Sequence, residues 1–251
     1  MAILKELDEL FRSETIKPTF DYVHIVLALY IFGEKENGIG RYRLKDELLI
    51  GSGTAKSLIT KLNKNINFIA VSHKNKKRIG HVLTEKGLKY LNLLKKRIPI
   101  VKMGDTSVLK DMIIEFENAS IFFCQVKNSG DKLTNGIEQR DAAIKVGGKG
   151  ATCLIYDGKK LIYPIGFASE TENLNVRISN NIHKYFQEEL ANFNSKLEKK
   201  DVIIIGLGNK QIEYDRLKIK IENKKKSVEL ASLKAARRAR LAALNAALTL
   251  I

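Results

Sequence analysis

The side chains of this sequence most suited to chemistry are hydroxyls and lysines that recur along residues 44–64. Apolar residues in the second half of this stretch follow helical spacing: Ala55, Leu58, Ile59 and Leu62. The opposite face carries short hydroxyls and flexible cations without a carboxylate, which suits hydrogen bonding to base edges and phosphate oxygens. The candidate DNA contacts on and beside this helix are Arg43, Ser52, Thr54, Lys56, Ser57, Thr60, Lys61 and Lys64.

A helix-turn-helix is predicted to position these side chains. A short helix precedes a turn at 51–53, and a second helix follows it. We expect Gly51 and Gly53 to allow positive φ where the chain reverses, and Ser52 or Thr54 to cap the second helix. The alternative interpretation is an ordinary helical hairpin with a solvated basic face.

A β-hairpin is predicted next, with strands at 68–72 and 79–84, a loop at 73–78, and a closing helix at 86–96. This order of elements is typical of a winged helix, whose hairpin tip reaches phosphates or the minor groove of DNA. The cations of the loop would then contact the DNA backbone: Lys74, Lys76, Lys77 and Arg78. A structural hairpin with a solvated tip is the alternative.

The positive charge is concentrated at the two ends of the sequence. Residues 1–97 hold 19 Lys and Arg against 10 Asp and Glu, residues 98–215 hold 15 against 16, and residues 216–251 hold 10 against 2. A uniform compositional bias would not leave the middle neutral, so the asymmetry indicates an acidic partner. The basic segment 216–240 either adds a DNA contact or is solvated.

At 251 residues the chain is long enough for two domains. We place the boundary near Pro99, which gives a winged helix-turn-helix DNA-binding domain at 1–99 and an α/β domain for dimerisation or effector sensing at 100–251. The expected fold class is therefore a two-domain α+β or α/β protein that ends in a long Ala/Leu-rich helix.

The second domain is predicted as mixed α and β. Its expected strands lie at 119–126, 151–156, 160–164 and 201–206, and its expected helices at 135–146, 177–197 and 227–250. Asp157-Gly158 predicts a two-residue hairpin turn. Residues 100–108 are a linker or an edge strand, and residues 209–226 an extended ribbon or a loop. The final helix is expected to pack on the sheet or on its mate in a dimer.

A glycine-rich loop after helix 135–146 is the candidate effector site. Its backbone N–H groups, with adjacent charged side chains, could hold an anion. The candidate effector contacts are Arg140, Asp141, Lys145, Gly148, Lys149 and Thr152. The spacing does not match a phosphate-binding loop. The alternative is a helix end that turns into a strand through a left-handed glycine.

No catalytic constellation, metal site or cofactor motif is found, so the sequence predicts a protein that is not an enzyme. The two cysteines, Cys124 and Cys153, do not form a metal-binding or disulfide pattern, which fits a reducing cytoplasm. The longest apolar run, residues 22–32, is shorter than the roughly 20 residues that span a bilayer. The charged stretch before it lacks the apolar core of a signal peptide, so none is expected there. His24 within that run is expected to be a satisfied core or boundary histidine.

The run from Gly136 to Pro164, with the predicted winged helix and the closing Ala-Leu-Asn-Ala-Ala-Leu-Thr-Leu helix, resembles an archaeal family of predicted transcriptional regulators. The C-terminal domain of that family has no assigned function. The resemblance implies an archaeal, cytoplasmic, DNA-associated protein and supplies no catalytic residue or ligand. The polar insert at 209–226 is longer than the resemblance leads us to expect.

These observations predict a dimeric transcriptional regulator that binds double-stranded DNA and responds to an unidentified small-molecule effector. One alternative is a small-molecule-binding or catalytic C-terminal module whose winged helix contacts a protein. A second is a chromatin or repair factor that binds DNA without sequence preference.

Overall fold

A computed structural model describes residues 2–12, 18–74, 77–113, 116–164, 178–218 and 224–251. The chain divides into two compact units, Met1–Lys96 and Arg97–Ile251, close to Pro99. Among the described residues, no helix has the length and apolarity needed to cross a bilayer.

The N-terminal unit is mostly helical and contains one β-hairpin. It begins with a 3₁₀ helix, followed in chain order by α1, α2, α3, β1, β2 and α4, the last residue of which belongs to the C-terminal unit. The 3₁₀ helix spans Ala2–Phe11. The helices are α1 (Tyr22–Glu34), α2 (Arg41–Leu48), α3 (Ser52–Lys64) and α4 (Glu85–Arg97), and the strands are β1 (Ile69–Lys74) and β2 (Lys77–Leu83). The order of helices and hairpin is the one that the sequence predicted.

Helix α1 is buried on nearly all sides because apolar residues fill its length. His24 lies in its first turn, where its Nδ1 accepts a hydrogen bond of 3.0 Å from the backbone N–H of Asp21. This contact satisfies one polar group at the helix start. The expected role of His24 as a satisfied boundary residue is confirmed.

The turn between α2 and α3 differs from the glycine turn that was predicted. Leu49, not a glycine, takes the left-handed conformation with φ of 54°, while Gly51 has φ of −70° and Gly53 lies inside α3. Gly51 is the N-cap, and no side chain caps α3. The predicted cap from Ser52 or Thr54 was therefore wrong, because the helix begins at Ser52 itself.

The hairpin is longer than predicted. Strands β1 and β2 pair as far as Lys74 with Lys77, so most of the predicted loop 73–78 is strand. Ile39 and His81 exchange two backbone hydrogen bonds of 3.0 Å, which fix β2 to the segment before α2. Gly80 permits this approach, because a Cβ there would lie 2.6 Å from the carbonyl carbon of Ile39.

The C-terminal unit is built on a five-stranded antiparallel sheet in the order β3-β4-β7-β5-β6. In chain order its helices and strands are β3, α5, β4, α6, β5, β6, α7, β7, α8 and α9. The strands are β3 (Val101–Met103), β4 (Ala119–Val126), β5 (Gly150–Tyr156), β6 (Leu161–Ile162) and β7 (Val202–Asn209). The helices are α5 (Thr106–Leu109), α6 (Ile137–Lys145), α7 (Asn180–Ala191), α8 (Lys210–Lys218) and α9 (Lys224–Leu248). Short 3₁₀ turns connect some of them.

Both faces of the sheet are covered, which explains the unbroken apolar run of β7. Ile203 and Ile205 face a core that includes Phe186 of α7, while Gly206 and Gly208 face α9. A Cβ on Gly208 would lie 2.0 Å from the carbonyl oxygen of Ala235. Alanines of α9 therefore pack directly on the strand backbone, and the expected packing of this helix on the sheet is confirmed.

Several predicted boundaries change. The loop that begins at Asp157 has four residues, because Tyr156 pairs with Leu161. The Asp157 carboxylate accepts hydrogen bonds from two backbone N–H groups of this loop. Residues 209–226 are not a ribbon or loop where they are described. Instead, Asn209 accepts the backbone N–H of Ile212 at 2.9 Å and thereby caps α8.

Candidate nucleic-acid interface

Helix α3 separates an apolar face from a polar one. Its apolar residues are buried in the core of the N-terminal unit: Ala55, Leu58, Ile59 and Leu62. Lys56, Thr60 and Lys64 are exposed, and within the described chain their side chains make no hydrogen bond or ion pair. They are therefore accessible to a partner.

The sequence around this helix is free of negative charge. Residues 48–84 contain seven Lys and Arg and no Asp or Glu. A polyanion that approached α3 and the hairpin would meet no carboxylate from this stretch, so attraction would not be offset locally.

Two of the predicted contacts on α3 already have partners. The Oγ1 atoms of Thr54 and Thr19 are 2.6 Å apart, and the Nζ of Lys61 donates to the carbonyl oxygen of Arg12 at 2.8 Å. Thr54 and Lys61 lie about two helical turns apart on one flank of α3. Arg12 and Thr19 thus each contact this flank, which periodicity alone could not reveal.

The remaining positions near the start of α3 are accessible to different degrees. Ser52 is exposed and Ser57 is half-buried. Gly53 has open space around it, since a Cβ there would meet no atom within 4 Å. The absence of a side chain at this outward position allows a close approach to the helix backbone.

Helix α2 adds a cationic and aromatic pair that sequence reasoning missed. The guanidinium carbon of Arg41 lies 4.9 Å from the centre of the Tyr42 ring, and its Nη2 donates to the Tyr42 hydroxyl at 3.0 Å. Tyr42 and the predicted contact Arg43 are both exposed. An exposed tyrosine on a short polar helix was the available signal.

Three of the four predicted hairpin cations lie in the strands rather than in a loop. Lys74 and Lys77 are paired residues that end β1 and begin β2, and Arg78 pairs with His73 in the same ladder. Lys76 lies outside the described residues. The backbone of the other three predicted cations is thus placed at the end of the hairpin that adjoins residues 75–76.

The candidate effector residues are only partly brought together. Arg140 donates to Asp141 Oδ1 from Nε at 3.0 Å and from Nη2 at 2.9 Å, and Lys145 is exposed on the same helix. Thr152 pairs with Ile205 and therefore shares the sheet face that packs on α7, whereas α6 packs with α9 on the other face.

The glycine loop forms a helix end. Gly147 is left-handed with φ of 83°, its N–H donates to Ile144 at 2.8 Å, and the Gly148 N–H donates to Ala143 at 3.1 Å. The Lys149 N–H donates to Leu207. The bonds of Gly147 and Gly148 form the Schellman pattern that ends a helix. These three amides are already satisfied, so the loop lacks the backbone donors expected of an anion cradle, and effector binding stays a prediction.

A buried polar network was not predicted. Asp201 accepts hydrogen bonds from Gln125 Nε2 at 2.7 Å and from Lys127 Nζ, Asn128 N and Glu198 N at 2.9 Å. Although burial opposes the charged form of Lys127, its hydrogen bonds to Asp201 and Glu198 keep its pKa above the ordinary value. The hydrogen bond from Lys127 lowers the pKa of Glu198. The network joins the end of β4 to the start of β7 and is structural.

Comparisons with known proteins give a family match for part of the chain and a protein of similar fold, and neither names a function. A family model described as a domain of unknown function (DUF4443) matches residues 118–222. A hypothetical protein from Pyrococcus horikoshii OT3 has a similar fold, with a TM-score of 0.52 and 23% identity over 88% of this chain and 91% of that one. A search of curated proteins gave no match.

These comparisons agree with the coarser part of the expected resemblance. They give a C-terminal region without an assigned function and an archaeal protein of similar fold. At this identity the likeness shows the fold alone. Neither description names DNA binding or regulation.

The described residues form neither a metal site nor a disulfide. No group of His, Cys, Asp and Glu among them could hold a metal ion. Cys124 and Cys153 are free and buried, and burial raises the pKa of the Cys153 thiol to about 12. The exposed side chains of α3 are cations and hydroxyls, which bind phosphates and base edges.

Proposed function

We propose that the N-terminal unit is a winged helix-turn-helix that binds double-stranded DNA. The observation that carries the proposal is the outward face of α3, where Lys56, Thr60 and Lys64 are exposed in a stretch without acidic residues. In this interpretation α2 and α3 form the helix-turn-helix and β1–β2 is the wing. The similar architecture of other proteins would not by itself assign this function.

The proposed interface places α3 in the major groove, which admits one helix. Thr60 and Ser57 would then approach base edges, while Lys56 and Lys64 would contact phosphates on the two sides of the groove. The open space at Gly53 would allow a phosphate close to the first turn of α3. Arg41, Tyr42 and Arg43 on α2 would contact the neighbouring backbone.

The wing would add a second set of phosphate contacts. Lys74, Lys77 and Arg78 lie at the end of the hairpin that adjoins residues 75–76. Cations at such a tip reach the backbone or minor groove next to the recognition helix. The fixed bridge between Ile39 and His81 would hold the wing at a constant angle to α2.

We further propose that the protein is a homodimeric transcriptional regulator. The alanine-rich face of α9 is covered by its own sheet, so this face is not the dimer contact. Ile137 and Ile144 of α6 are 47% and 50% exposed and lie two turns apart. This apolar line on the C-terminal unit would form the contact between two copies.

The test is direct titration of duplex DNA with the purified full chain. Fluorescence anisotropy on a mixed-sequence duplex should show binding at 50 mM salt. A dimer that contacts about 6–10 phosphates should lose roughly three or more decades of affinity by 200 mM salt. Selection from random duplexes should then enrich one sequence. Absence of binding at 50 mM salt would contradict the proposal.

A further inference from the structure

Two residues that precede α1, Arg12 and Thr19, border the polar face of α3. Thr19 bonds Thr54 near the start of the helix, and the Arg12 carbonyl bonds Lys61 near its end. The partners are 35 and 49 residues apart in sequence. These bonds involve side chains that would otherwise be available to DNA.

The described residues of this N-terminal segment are held by the core rather than by these two bonds alone. Leu7 and Leu10 of the 3₁₀ helix are fully buried. The Tyr90 hydroxyl donates to the carbonyl oxygen of Ile3 at 2.6 Å, and the Phe11 ring lies 4.6 Å from that of Tyr22. Arg12 therefore follows directly on an anchored element and has a defined place beside α3.

The side chain of Arg12 is the part of this arrangement that faces solvent. Its carbonyl is fixed by Lys61, whereas the residue itself is exposed and its guanidinium has no partner within the described chain. Lys64 lies one turn beyond Lys61 on the same helix. Arg12 thus adds an exposed cation beside Lys61, one turn from Lys64.

We propose that Thr54 and Lys61 are positioning residues, which hold Thr19 and Arg12 against α3 so that Arg12 contacts a DNA phosphate. This inference rests on the proposed DNA-binding function. It reassigns two residues that sequence reasoning placed in direct contact with DNA. The base-reading face is then Ser57, Thr60 and their exposed neighbours.

The threonine pair gives a test that does not change the charge of the protein. Thr54→Val and Thr19→Val each remove the bond between the two hydroxyls. Each variant should weaken binding about fivefold, the equivalent of one net hydrogen bond. Because both act through the same bond, the double variant should bind no more weakly than either single variant. Thr54→Ser, which keeps a hydroxyl, is the matched control and should bind like wild type.

The Arg12 side chain is tested separately. Arg12→Ala should weaken binding and reduce the slope of log affinity against log salt by about 0.9, the contribution of one phosphate contact. Melting curves without DNA would confirm that each variant is folded.

The inference is overturned if Thr19→Val binds like wild type while Thr54→Val is weakened, because Thr54 would then contact DNA itself. An Arg12→Ala variant with unchanged affinity and slope would also overturn it. Neither result would affect the proposed function, which fails only if the wild-type chain does not bind duplex DNA; the inference would then fail with it.

Discussion

Asp201 is a buried carboxylate whose oxygens accept four hydrogen bonds, one of them from a lysine ammonium. Its side chain is 1% exposed. Burying a charge is costly unless hydrogen bonds and an opposite charge compensate, and here both are present. The residue therefore stabilises the start of β7.

We predict that Asp201→Asn lowers the free energy of unfolding by about 3 kcal/mol, because it removes the charge opposite Lys127 and replaces an acceptor with a donor. Asp131→Asn is the matched control. Asp131 pairs with Lys200 at 2.7 Å but is 74% exposed, so its loss should cost less than about 1 kcal/mol. Urea denaturation measures both. Equal effects would contradict the account of the network.

The two buried thiols predict a pH dependence. Burial, aided by the charge of Cys153, raises the pKa of Cys124, and burial raises the pKa of Cys153 to about 12. Unfolded thiols ionise near pH 8.5, so above that pH the unfolded state releases protons that the folded state keeps. Stability should therefore fall as pH rises from 8.5 to 10. The fall should be smaller by about 2 kcal/mol in Cys124→Ala, and an identical slope would contradict this assignment.

At the scale of elements, the close approach of α9 to β7 depends on glycine. A Cβ on Gly206 would lie 2.2 Å from the backbone nitrogen of Ala243. Gly206→Ala should therefore destabilise the C-terminal unit by about 3 kcal/mol through overpacking. Gly53→Ala, with open space around it, should instead stabilise α3 by up to about 1 kcal/mol. Chemical denaturation distinguishes them, and a neutral Gly206→Ala would disprove the direct packing.

Elements with strong apolar patterns could be predicted, and those defined by polar contacts could not. Strand β4 was predicted at its observed bounds because every residue fits a two-sided core. Helix α8 was missed because it is polar and its start depends on the Asn209 cap. The end of the hairpin was predicted as a loop from its cations, although backbone pairing extends to Lys74 and Lys77.

The candidate interface shows the same division. Helical spacing was sufficient to predict which residues of α3 face outward. It could not show that Thr54 and Lys61 bond to Thr19 and Arg12, because those contacts depend on the tertiary position of the N-terminal segment. From the sequence, a helix that ends at a left-handed glycine was one of two interpretations of the loop at 147–150. The structure shows the hydrogen bonds of that helix end at Gly147 and Gly148.

At the scale of the whole molecule, an excess of 16 positive charges is distributed unevenly. Residues 98–215 are nearly neutral, so long-range attraction of a polyanion comes mainly from the two ends of the chain. A protein that binds DNA in this way should associate rapidly at low salt and slowly at high salt.

Dimerisation is testable at this scale. Ile137→Asp combined with Ile144→Asp should convert a dimer into a monomer, because charges would be buried in the proposed contact. Light scattering should show the mass fall by half, and DNA affinity should drop at least tenfold through loss of the second binding unit. Leu233→Asp, a similarly exposed position on α9, should leave the mass unchanged. An unchanged mass in the double variant would exclude α6 as the contact.

The central claim is that α3 contacts DNA, and the salt dependence of Lys56→Ala combined with Lys64→Ala tests it most directly. Removing two phosphate contacts per chain should reduce the slope of log affinity against log salt by about 1.8 per bound chain. Lys184→Ala, an exposed lysine on α7, is the control and should keep the wild-type slope. A double variant with the affinity and slope of wild type would contradict the account.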